Sequence, residues 1–101
     1  MEAEYIREAK ALCKDALRSL AADKPLDQRV RLAVHEIGLI DAPHRDLPAS
    51  ASVVISRIKD ANRFRTADPD SLAGAIADLL EGFVVLEHNG EPDWRYGELA
   101  A

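Results

Sequence analysis

The sequence of 101 residues predicts a single, mainly α domain, in which four helices precede a two-stranded antiparallel β-ribbon. Three observations support this fold class. Apolar residues recur every three or four positions in four segments, which is the spacing of one buried helix face. Proline and glycine residues separate these segments, as expected at element ends. Near the C-terminal end, Asn89-Gly90 stands between two short β-like runs, and this dipeptide favours a hairpin turn.

The four helices are predicted at residues 2–22, 25–37, 50–62 and 69–81. The first ends before Pro25, because the residue preceding a proline disfavours the α conformation. Gly38 is the expected C-terminal cap of the second helix, and Gly82 that of the fourth. Asp68 is a good N-cap for the fourth helix. The apolar faces predict a core that includes Leu12, Leu17, Val30, Val34, Val54, Ile58, Leu72, Ile76 and Leu79.

The ribbon is predicted to pair residues 83–88 with residues 93–98. The first strand begins with the apolar run at Phe83, and the second places Trp94 and Tyr96 on one face. These aromatic residues either close the core, which is the favoured interpretation, or anchor a partner. A helix that leads directly into such a ribbon is typical of the end of a winged-helix domain. The C-terminal half is therefore expected to be winged-helix-like.

The net charge of −5 is unevenly distributed along the chain. Residues 1–65 hold 12 Lys/Arg and 10 Asp/Glu, whereas residues 66–101 hold one and eight, a net −7. A block of this charge repels phosphate backbones and favours a basic partner. The C-terminal third is thus expected either to bind a basic partner or to form a solvated surface.

The residues that could perform catalysis do not form a recognisable set. His35 and His44 lack the spacing that would direct both rings at one metal ion, and a proline-containing loop separates them. No serine lies in a glycine-flanked elbow, and no glycine-rich loop could hold a phosphate. We therefore expect no enzymatic activity, no metal and no cofactor.

Cys13 is the only cysteine, so the chain can form no internal disulfide. Its position in the first helix predicts a packed core residue. No apolar run is long enough to cross a membrane, and the N-terminal residues lack the apolar core of a signal peptide. These features predict a cytoplasmic protein that does not bind membranes.

One basic cluster supports an alternative function, that of a winged-helix DNA-binding regulator. Its candidate phosphate contacts are Arg57, Lys59, Arg63 and Arg65. The fourth helix would then enter the major groove, but it contains no Lys, Arg, Asn or Gln to read base edges.

The leading hypothesis is a small non-enzymatic interaction module, such as an adaptor, an inhibitor or an immunity-type regulator. Its partner is expected to be another protein with a basic surface or a second copy of the chain. The candidate binding residues are acidic or aromatic and lie in the fourth helix and the ribbon: Asp70, Asp78, Glu81, Glu91, Asp93, Trp94 and Tyr96.

Overall fold

The computed structural model describes residues 3–40, 49–64 and 68–88, and four α-helices account for nearly all of them. The helices are α1 (Ala3–Ala21), α2 (Leu26–Ile40), α3 (Ala49–Phe64) and α4 (Pro69–Glu87). The helical part of the prediction is confirmed. None of these helices, within the described ranges, has the length and apolar character needed to cross a bilayer.

The helices enclose one hydrophobic core. α1 packs extensively against both α2 and α4, and α3 makes smaller contacts with α2 and α4. Small residues on α1, namely Ala9, Cys13 and Ala16, are completely buried, which lets its neighbours approach closely. Six predicted core residues are buried: Val34, Val54, Ile58, Leu72, Ile76 and Leu79. The other three, Leu12, Leu17 and Val30, are half-buried and pack against that core.

The predicted β-ribbon is wrong in its first strand. Residues Phe83 to Glu87 form the last turns of α4, and His88 is the C-cap. Phe83 lies four residues after Leu79, so it continues the buried face of the helix, and its side chain is 0% exposed. Burying a phenylalanine contributes about 1.5–3 kcal/mol. This exceeds the penalty of roughly 1 kcal/mol for Gly82 inside a helix.

The winged-helix-like assignment of the C-terminal half is therefore also wrong, because it depended on a strand that is helical. The described residues contain no β-strand at all. The second predicted strand, 93–98, lies outside the described residues, as does the turn at Asn89-Gly90.

The second helix also runs past its predicted end. Gly38 is a helical residue of α2 rather than a cap, and α2 continues to Ile40, whose side chain is fully buried. The Tyr5 hydroxyl donates a hydrogen bond to the Ile40 carbonyl oxygen at 2.9 Å, which ties the end of α2 to α1. The Lys59 side chain of α3 crosses α2 here, with its Cε 3.4 Å from where a Cβ on Gly38 would lie.

Side chains satisfy backbone groups at two helix ends. Asp68 caps α4 as predicted: its carboxylate accepts a hydrogen bond from the Ser71 backbone N–H at 2.8 Å. At the end of α1, the Arg29 guanidinium donates to the carbonyl oxygens of Leu20 and Lys24, both at 2.9 Å. These bonds fix the α1–α2 turn and the start of α4.

Candidate protein-binding surface

The acidic residues of α4 lie together on its outer side. Asp78 follows Asp70 by eight residues and precedes Glu81 by three, so all three share one side of the helix. Asp70 and Glu81 are exposed and Asp78 is half-buried. α4 contains no Lys or Arg, and within the described part of the chain none of the three carboxylates forms an ion pair. The outer side of α4 thus carries negative charge that no basic residue of α4 itself offsets.

Asp78 shows the electrostatic consequence of this arrangement. Its pKa is raised, first because partial burial disfavours the carboxylate and second because the negative charge of Glu81 lies nearby. A cation placed over these two residues would relieve the repulsion between them.

An apolar row borders the acidic side of α4. Its members follow one another by four, three and four residues, which is the spacing of a helix-packing seam: Ala73, Ala77, Leu80 and Val84. Ala77 is exposed, Val84 is 37% exposed, and Leu80 is half-buried. Sequence reasoning missed this row because it assigned Val84 to a strand.

The apolar row faces the junction between α4 and α1. An ion pair between Lys10 of α1 and Glu87 of α4 closes this junction, and the hydrogen bond from Lys10 lowers the pKa of Glu87. Leu80 precedes Glu87 by seven residues and therefore lies on the α1 side of α4. Leu17 follows Lys10 by seven residues and lies on the α4 side of α1, where it is half-buried. We call this junction the α1–α4 seam: Leu17, Ala73, Ala77, Leu80 and Val84.

A basic row lies beyond the seam on α1. Arg7, Lys14 and Arg18 are separated by seven and four residues and are all exposed, so they share the outer side of that helix. Arg18 also pairs with Asp15 at 3.1 Å. The acids of α1 lie on the flank away from α4: Glu4, Glu8 and Asp15. Sequence reasoning missed the basic row because acidic residues interrupt it along the chain. Only the helical conformation of α1 places the basic and the acidic side chains on different sides.

Of the other predicted site residues, the structure describes the side chains of two, which lie on α3 and not on α1 or α4. Arg57 and Lys59 are half-buried on α3, and their spacing of two residues places them on different sides of that helix. The side chain of Arg63 and all of Arg65 lie outside the described residues. The same is true of four predicted protein-binding residues: Glu91, Asp93, Trp94 and Tyr96.

The described residues include one thiol and two imidazole side chains. The Cys13 thiol is buried, and burial raises its pKa to about 12, so it stays protonated at neutral pH. Among the residues that the structure describes, no group of three His, Cys, Asp or Glu residues could hold a metal ion. His35 is exposed on α2 and His88 caps α4, whereas His44 lies outside the described ranges.

No protein-family model, no curated protein and no solved structure matches this chain.

Proposed function

We propose that this protein is a non-enzymatic protein–protein interaction module whose binding surface is the outer side of α4. The observation that carries the proposal is the row of Asp70, Asp78 and Glu81, which no basic residue of α4 offsets. A helix side that carries one sign of charge favours a partner surface of the opposite sign. As part of the same proposal the protein acts in the cytoplasm, where its one buried thiol remains reduced.

The composition of the surface suggests how a partner binds. The exposed Val84 and the small Ala77 border the carboxylates, so apolar contact and charge attraction act on the same approaching surface. Apolar contacts buried at the centre of an interface supply most of its affinity, while charges at the rim steer and accelerate association. The partner is expected to present apolar side chains flanked by Lys or Arg.

Affinity capture with a charge-reversed variant tests this proposal. The tagged wild-type chain and a variant carrying Asp78→Lys and Glu81→Lys are each incubated with an extract of the cells that produce the protein. A captured chain is then purified and its affinity for both forms is measured by calorimetry. We expect the variant to bind about tenfold more weakly or worse, because like charges facing each other at an interface cost several kcal/mol.

A matched control carries the same change in net charge elsewhere. Glu4→Lys with Asp23→Lys replaces two exposed acids outside α4 and should bind as the wild type does. Equal weakening of the control and the α4 variant would show that only net charge matters. A partner that binds the α4 variant with unchanged affinity would contradict the proposal.

A further inference from the structure

The face formed by α1 and α4 has two halves of opposite charge. On the α1 half lie the exposed bases Arg7, Lys14 and Arg18. On the α4 half lie the exposed acids Asp70 and Glu81, and the half-buried Asp78 flanks them on the side of α4 away from the seam. The apolar α1–α4 seam separates the two rows, and the Lys10–Glu87 ion pair holds the two helices side by side. This face therefore carries both of the charges needed to bind a copy of itself.

We propose that a second copy of this chain occupies the face, as a two-fold symmetric dimer. A two-fold axis along the α1–α4 seam lays α1 of one copy on α4 of the other, and the converse contact follows by symmetry. Each basic row then meets an acidic row, twice in the same interface. The inference rests on the proposed function and adds to it the identity of the partner.

Charge complementarity favours a second copy over an unrelated basic partner. A basic helix that docks on α4 is attracted by Asp78 and Glu81, but it lies next to Lys14 of α1, which repels it. Because the two rows are adjacent, a uniformly basic surface cannot suit both. A surface that carries an acidic row beside a basic row suits both, and the chain itself has such a surface.

The seam supplies the apolar contact that the dimer needs. Leu17 and Leu80 are half-buried and Val84 is 37% exposed, so each gains burial when another helix pair covers the seam. Gly74 lies in the middle of α4, and apart from its chain neighbours and the backbone of its own helix no described atom lies within 4 Å of the position that a Cβ would take, so packing does not require a glycine there. Together with Ala73 and Ala77, it leaves a shallow backbone surface that another helix can approach closely.

Charge-swap complementation tests the dimer. One variant carries Asp78→Lys and Glu81→Lys, which makes both rows basic, and the other carries Arg7→Glu and Lys14→Glu, which makes the α1 row acidic. Sedimentation velocity at up to about 100 µM, where weak dimers are populated, measures the mass of each form and of their equimolar mixture. We expect the wild type to sediment as a dimer, each variant alone as a monomer, and the mixture as a heterodimer.

We expect both variants to remain helical by circular dichroism, because all four substituted positions are exposed or half-buried. The restored dimer in the mixture separates a direct contact from a general loss of stability. A monomeric wild type, a dimer that neither variant disrupts, or variants that fail to complement each other would overturn the inference. A monomeric wild type that still captures a different protein through Asp78 and Glu81 would overturn the self-association alone and leave the proposed function standing.

Discussion

Phe83 and Val84 are adjacent residues whose environments differ sharply. Phe83 is 0% exposed in the core, whereas Val84 is 37% exposed on the outside of α4. We expect Phe83→Ala to lower the free energy of unfolding by about 3–5 kcal/mol, because it leaves a cavity. Val84→Ala should cost less than about 1 kcal/mol, as substitutions near the surface do. Urea unfolding of the two variants measures both values. Equal losses of unfolding free energy would contradict the burial of Phe83 and the exposure of Val84 on α4.

Two helix ends were predicted wrongly because a glycine follows an apolar helical run. Gly38 and Gly82 each follow an apolar helical run, which is the usual signal for a helix end. Both are helical because the residues that follow them, Ile40 and Phe83, are fully buried and their burial outweighs the glycine penalty. Only tertiary packing supplies that information. The N-cap at Asp68, by contrast, depends on local hydrogen bonds and was predicted correctly.

At the scale of the element, the start of α4 makes the stability of the fold depend on pH. The hydrogen bond from the Ser71 backbone N–H lowers the pKa of Asp68 in the folded state. A lowered pKa means that the carboxylate stabilises the fold above its unfolded pKa, near 3.8, and that this contribution is lost as the pH falls through the folded value. Asp68→Asn keeps a capping side chain but removes the titration.

We therefore expect Asp68→Asn to melt below the wild type at pH 7 and at nearly the same temperature once the pH is low enough to protonate Asp68 in both states. Thermal melts of the two proteins across this range provide the measurement. A difference in melting temperature that stays constant from pH 7 to strong acid would show that the Asp68 charge does not contribute.

The elements also explain how much of the site could be predicted. The acidic residues of α4 were identified from the sequence because no Lys or Arg lies among them. The negative charge of this helix therefore follows from the sequence alone. The basic row of α1 was not, since Glu8 and Asp15 alternate with Arg7 and Lys14 along the chain. The α1–α4 seam could not be predicted, because the sequence alone does not show that α4 extends to Glu87 and packs on α1.

At the scale of the whole molecule, one core serves two purposes. It holds four helices together, and it fixes α1 beside α4 so that two rows of opposite charge share one face. A chain of about 100 residues buries a smaller fraction of its surface than a large domain does, so covering a further apolar seam adds stability that the monomer lacks. This connects the fold to the proposed function, because binding at that face and folding reinforce each other.

Site-specific photocrosslinking at Ala77 tests most directly whether the outer side of α4 is a binding surface. A photoreactive amino acid replaces the exposed Ala77, a control protein carries it at the exposed Gln28 of α2, and both are irradiated in the cells that produce them. We expect a covalent product from position 77 and little from position 28, with a mass of twice the chain if the partner is a second copy. The absence of any product from position 77, or equal products from both positions, would contradict the account.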